Sequence, residues 1–191
     1  MEYLTITLSS YLLGSIPFGF ILTKIFLKQD IRDIGSGNIG ATNTLRTGNK
    51  LLGYSTLALD ISKAILPVLY VKFNHPDYIF IASLCTFLGH VFPVWLKFKG
   101  GKGVATYIGI LFSINLIYGF IFIIGWLTTF LISKYSSLSS LVASLIIPIY
   151  LIFFDNENST FFIIMFILIF YTHRENVKRL KNKDESKTKI Y

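Results

Sequence analysis

Phe98-Lys99-Gly100-Gly101-Lys102-Gly103-Val104-Ala105-Thr106 separates two apolar runs, residues 79–96 and 107–132, and the length of those runs decides the fold class. A helix needs roughly 20 apolar residues to cross a bilayer; both runs come close to or exceed that, as does a third at 3–26. Between the first two, three glycines in four positions let the backbone turn tightly and aim successive N–H groups at one small anion. Lys102 puts a full positive charge inside the turn and Thr106 adds a hydroxyl, so the stretch reads as a phosphate-binding loop at a membrane surface. The plainer alternative is that glycines beside transmembrane helices serve close packing.

Composition agrees with a membrane protein. Of 191 residues, 53% are hydrophobic and 15% charged, against about a quarter charged in an ordinary soluble domain, and mean hydropathy is +0.61. The length suits one domain, so 1–191 reads as a single integral-membrane unit whose last stretch, 180–191, is a basic tail. A net charge of +8 does not point to nucleic acid, because the basic residues flank apolar runs rather than forming one face. The one cysteine, Cys85, excludes a disulfide framework and a thiolate metal cluster. The first apolar run lacks a basic region before it and a small-residue cleavage site after it, and reads as a retained helix.

Charge asymmetry then orients the passes. The expected fold is all-α and polytopic. Helix one runs from about 3 to 27, and Lys24, Lys28 and Arg32 mark its cytoplasmic end. Helix two spans about 51–73 and carries Asp60 and Lys63 one turn apart on one face. Helix three, about 78–96, delivers His90 and then the glycine loop. Two carboxylates in Asp155-Asn156-Glu157 do not belong in hydrocarbon, so 138–171 splits into two short passes. The basic tail wants the cytoplasm, which requires 107–132 to split as well, near 115–119. The total is about seven passes, N-terminus outside and C-terminus cytoplasmic, some of them short; about five passes would give the same sidedness. On either count every Lys and Arg except Lys63 and Lys72 lies at or beyond the cytoplasmic interface.

Three polar motifs thereby share one side. Residues 35–46 hold Gly35-Ser36-Gly37-Asn38-Ile39-Gly40-Ala41-Thr42-Asn43 and Arg46; the second motif is 100–106; the third is His173-Arg174-Glu175-Asn176 with Arg179. Cations at Arg46, Lys102 and Arg179 join hydrogen-bonding groups at Ser36, Asn38, Asn43, His173 and Asn176, which is what phosphorylated substrates require. No zinc-type spacing or paired carboxylates appear, so no metal and no cofactor is expected. His173 and Arg179 read equally as interfacial anchors, and His90 beside Pro93 reads first as a structural hydrogen bond. Asp60 and Lys63 read first as a pair supporting the site.

Together these motifs resemble the bacterial glycerol-3-phosphate acyltransferases that use acyl phosphate, the PlsY family. The resemblance covers essentially the whole chain and includes Gly89-His90-Val91-Phe92-Pro93 leading into the glycine loop. Two positions depart from the family, Ala64 and Lys183, where glycine is usual. The resemblance implies acyl transfer to the 1-hydroxyl of sn-glycerol 3-phosphate, giving lysophosphatidate and phosphate, the first acylation of phospholipid synthesis. It also implies a bacterial plasma-membrane location, a cytoplasmic active site, and functional coupling to an acyl-phosphate synthase. Gly101, Lys102, Gly103 and Thr106 would then cradle the donor phosphate, while Ser36, Arg46, Asn43, His173, Asn176 and Arg179 would hold glycerol 3-phosphate. The proton of the attacking hydroxyl goes either to His173 or to a substrate phosphate. Rival classes fit less well. Residues five after His75, His90 and His173 are Phe80, Trp95 and Lys178, so an HxxxxD acyltransferase motif is absent, and a transporter would gather its polar groups near the midplane.

Overall fold

The computed structural model describes residues 1–188, and no strand forms among them. Lys189 of the basic tail lies outside the described residues. Four stretches are long and apolar enough to cross a membrane: Glu2–Phe26, Pro76–Leu96, Leu116–Ser133 and Ser136–Phe154. Counting the bent pair Glu157–Thr172 and Arg174–Lys181 as one span makes up to five. The helices form two compact units, Met1–Ile114 and Asn115–Tyr191.

The first unit is organised around α4 (Lys50–Asn74), which packs against α1 (Glu2–Gly14), α2 (Phe18–Phe26), α3 (Ala41–Leu45), α5 (Ile79–Val91) and α6 (Val104–Ile114). Asn49 starts α4 by accepting the Leu52 N–H on its side chain at 3.1 Å. The continuous first helix expected at 3–27 is instead two helices parted by Ser15, Ile16 and Pro17. Proline has no N–H to continue the ladder, and the chain departs from helical angles at Pro17 (φ −92°, ψ 75°). Helices α1 and α5 cross closely. A methyl at Gly14 would meet the Thr86 carbonyl oxygen at 2.1 Å, and one at Gly89 the Tyr11 carbonyl oxygen at 2.3 Å, the small-residue packing that brings membrane helices together. Ala64, one of the two departures from the family pattern, is fully buried opposite Gly109 of α6. Lys72 donates to the carbonyls of Ser113 and Ile114, both at 2.9 Å, placing a cation on the negative end of α6.

The second unit contains α7 (Leu116–Ser133), α8 (Ser136–Phe154), α9 (Asn156–Thr172) and α10 (Arg174–Lys181), with α8 packed against α7 and α9. The apolar run 107–132 does break where expected, at Asn115, whose side chain accepts the Ile117 N–H at 2.9 Å and starts α7. Its two parts are unequal. The 11-residue α6 is short, whereas α7 has 18 residues, enough to cross. Leu116, Phe120, Ile124, Leu127 and Leu131 along α7 are exposed, as lipid-facing side chains are. At Asp155 the second long run breaks too; its carboxylate accepts from the Tyr118 hydroxyl and from Asn158 at 2.7 Å. Those two bonds, Tyr118 first, hold the Asp155 carboxyl below its ordinary range.

Candidate functional site

In the first unit the 35–46 loop is built on Asn43. Its side chain is buried and almost fully committed to the loop. The amide oxygen accepts the Ser36 N–H at 2.9 Å, and the amide nitrogen donates to the carbonyls of Ile31, Ile34 and Asn38 at 3.1, 2.9 and 2.8 Å. Asn38 likewise accepts the Gly40 N–H at 2.9 Å. Both asparagines therefore shape the loop first. Ser36, Thr42 and Arg46 are the polar side chains the loop leaves exposed, Arg46 at the C-terminal end of α3. Upstream, Arg32 donates to the Asp30 carboxylate and pulls its pKa down to about 2. Ile31, Ile39 and Leu96 form one buried cluster, with Phe20 and Ile34 against it. That cluster fastens this loop to the segment leading into the glycine loop.

The glycine loop does not present all of its amides. The Gly100 N–H donates to the Val91 carbonyl at 3.0 Å and the Gly101 N–H to the His90 carbonyl at 3.1 Å. Gly101 is thus removed from the amide cradle expected of it, and its contribution is space: a methyl there would meet His90 Nε2 at 2.0 Å. Gly103 adopts φ +84°, a conformation natural only to glycine, with the Phe87 ring against it. Helix α6 starts at Val104 immediately afterwards, so the loop ends at a helix N-terminus whose first N–H groups lack intrahelical partners. Lys102 is half-buried at this point. The Thr106 hydroxyl is fully buried with no hydrogen-bond partner among the described residues.

Beneath the loop lie the support residues. Lys63 Nζ pairs with Asp60 Oδ1 at 2.7 Å, both side chains 2% exposed, and donates to the Ile16 carbonyl at 2.6 Å. The helix break before Pro17 makes that carbonyl available, and Lys63 fills the gap while its ammonium also lies 5.7 Å from the centre of the Phe18 ring. His90 Nδ1 stands 3.8 Å from Asp60 Oδ1, too far for a hydrogen bond. The buried ring packs instead beneath Gly101. Asp60, Lys63 and His90 thus join the α1–α2 break, α4 and the glycine loop.

The second unit positions the third motif by a bend. Helices α9 and α10 meet at 63°, with His173 at the corner and 2% exposed. Its Nδ1 lies 2.8 Å from the Ile169 carbonyl; a carbonyl only accepts, so Nδ1 carries a proton, and in the neutral ring the lone pair is on Nε2. Asn176 is buried, and Arg179 lies one turn further along α10. Sequence reasoning missed two residues here. The Glu185 carboxylate accepts from Ser137 Oγ at 2.6 Å, Asn176 Nδ2 at 2.7 Å and Arg179 Nε at 2.7 Å. Burial alone would raise the Glu185 pKa, but these three donors outweigh it and hold the carboxyl below its ordinary value. Glu185 was concealed by its setting in a basic tail, and Ser137 by a run of serines at the start of α8. Among the described residues no group of histidines, cysteines and carboxylates is arranged to hold a metal ion.

Known proteins align with this architecture along its length. The family model described as glycerol-3-phosphate acyltransferase matches residues 4–183. A glycerol-3-phosphate acyltransferase of Pelagibacter ubique is 82% identical over 191 residues, covering 100% of both chains. One from Rhodopseudomonas palustris is 50% identical over 187 residues, covering 97% of this chain and 95% of its own. A crystal structure of PlsY, an integral membrane glycerol 3-phosphate acyltransferase, in its glycerol 3-phosphate form superposes with a TM-score of 0.92. It is 34% identical, with 98% of this chain and 96% of that one covered. The lysophosphatidic acid form of PlsY gives 0.89.

Proposed function

Because the chain belongs to the glycerol-3-phosphate acyltransferase family, and within it to the PlsY group, we propose that it acylates the 1-hydroxyl of sn-glycerol 3-phosphate with acyl phosphate as donor. The hydroxyl oxygen bonds to the acyl carbonyl carbon, and the bond from that carbon to the bridging phosphate oxygen breaks. Phosphate leaves with the electron pair, and the products are 1-acyl-sn-glycerol 3-phosphate and inorganic phosphate. The observation that carries this reading is the superposition, at a TM-score of 0.92, on PlsY in its glycerol 3-phosphate form. Acyl phosphate is already activated, so orientation and charge stabilisation suffice.

In this reading Lys102, Gly103 and Thr106, at the start of α6, take the donor phosphate and stabilise it as it departs, while Gly101 leaves room for the His90 ring beneath the loop. Ser36, Arg46, His173, Asn176 and Arg179 hold glycerol 3-phosphate, and Asn38 and Asn43 keep the Ser36 loop in shape. The hydroxyl proton goes to His173 Nε2 or to a substrate phosphate; the lone pair on Nε2 supports the first. The reaction belongs on the cytoplasmic side of the bacterial plasma membrane, reached through about seven passes with the N-terminus outside. The breaks at Asn115 and Asp155, which divide both long apolar runs, support that count. An acyl-phosphate synthase would supply the donor.

The test is phosphate release by purified protein in lipid vesicles given palmitoyl phosphate and glycerol 3-phosphate, without metal or acyl-CoA. Release that needs both substrates and yields lysophosphatidate is expected. Activity with acyl-CoA alone would overturn the donor.

A further inference from the structure

We propose that Glu185 is a positioning residue for glycerol 3-phosphate, its carboxylate clamping Asn176 and Arg179 in the orientation in which they receive the substrate's phosphate; this rests on the substrate reading given above. The seat is built from three separate elements. Ser137 comes from the first turn of α8, Asn176 and Arg179 come from α10, and the acceptor comes from the tail beyond it. The tail is also steered there by its backbone. After α10 the Lys183 N–H donates to the Leu180 carbonyl at 3.2 Å and the Asp184 N–H to the Arg179 carbonyl at 2.8 Å, with Lys183 in the left-handed region at φ 64°. This is the paired closure of a Schellman motif. Further on, the Thr188 N–H donates to the Lys134 carbonyl at 2.9 Å, so the tail is fastened on both sides of Glu185.

A carboxylate among phosphate-binding groups has a second conceivable part, that of a plug sitting where the substrate's anion belongs. The donor inventory favours the clamp. Arg179 gives Glu185 only its Nε–H, and a guanidinium has four further N–H donors on its terminal nitrogens. Asn176 gives one of its two amide protons, and its buried Oδ1 has no hydrogen-bond partner among the described residues. Both side chains therefore keep capacity for a ligand while Glu185 is in place. Glu185 fixes their rotamers, which removes an ordering cost that substrate binding would otherwise bear. A plug would have consumed those donors.

The experiment compares wild type, Glu185→Gln and Ser137→Ala in lipid vesicles. It measures initial rates against glycerol 3-phosphate concentration, and calorimetric binding of glycerol 3-phosphate with no acyl donor present. Glu185→Gln preserves shape and removes the charge. It is expected to raise both the KM and the Kd for glycerol 3-phosphate at least tenfold, with kcat within about threefold of wild type and the melting midpoint little changed. Ser137→Ala is expected to shift both constants the same way by a smaller factor. An unchanged KM and Kd in Glu185→Gln would overturn the proposal. A lowered KM with a raised rate would overturn it in favour of the plug. If wild type binds glycerol 3-phosphate but neither acyl phosphate nor acyl-CoA acylates it, the substrate reading fails as an acyltransferase assignment, and the binding constants still decide the part of Glu185. If wild type does not bind it, both fall.

Discussion

Lys102 shows how chemistry and architecture divide at single positions. Its charge is the one cation of residues 100–106, at the start of α6, and in the proposed reaction the leaving phosphate needs a preorganised charge at the moment its bond breaks. Lys102→Ala is expected to lower kcat at least about 100-fold while leaving the thermal midpoint close to wild type; a folded variant with full activity would remove Lys102 from the mechanism. Gly101 does the opposite kind of job. Gly101→Ala sets a methyl 2.0 Å from His90 Nε2, on a ring that is itself buried. A loss of about 1–3 kcal/mol is expected from overpacking, visible as a lowered melting midpoint together with reduced activity; a variant that melts with wild type would show that His90 yields freely. The sequence disclosed which residue types gather in these loops. It did not disclose that Gly100 and Gly101 spend their amides on the end of α5, or that Asn43 spends its side chain inside its own loop, because hydrogen-bond partners distant in sequence leave no local pattern.

At the scale of the element, the breaks were easier to read than the bends. Asp155 and Asn115 interrupt apolar runs visibly and do end helices. Pro17 was visible too, yet a proline can sit inside a membrane helix, as Pro67 and Pro148 do in α4 and α8. What decides the matter at Pro17 is the buried Lys63 ammonium that donates to the Ile16 carbonyl freed by the break, a contact 47 residues away in sequence. The bend of 63° at His173 had no signal of its own. The end of α10 bears a prediction. Lys183 holds φ 64° in a capping position where glycine carries no side-chain penalty. Lys183→Gly is therefore expected to stabilise the protein by roughly 1 kcal/mol, raising the melting midpoint without weakening activity. A lowered midpoint would mean that the lysine side chain contributes something the backbone conformation does not reveal.

For the whole molecule, the lengths of the apolar runs pointed to a helical membrane protein, with composition in agreement, and the motifs in order pointed to the family that the known relatives show. Sidedness rests on charge. In a Cys85→Ser background, a cysteine placed at Asp77 is expected to react with an impermeant maleimide added outside intact cells, and one at Lys187 only after the membrane is opened. Reaction at Lys187 in intact cells would invert the topology and move the site to the other face. Tail residues were legible as basic but not as structured, because a run of lysines masks the one carboxylate that three donors select.

The two amide bonds from Gly100 and Gly101 back to Val91 and His90 close the intervening residues into a ring. Within the ring Leu96 is buried, whereas Lys97, Phe98 and Lys99 are exposed. Extra residues spliced between Lys97 and Phe98 would cost the Phe98-to-Pro93 and Lys99-to-Leu96 amide bonds and an entropic term that grows only slowly with length, while the Gly100 and Gly101 bonds keep the ring's ends in register with Lys102. One residue spliced between Gly101 and Lys102 would instead shift the lysine, together with the start of α6, out of register with the fastened glycines. The same short stretch thus offers a permissive site for a fluorescent tag and, four residues on, a site where a single added residue should silence the enzyme.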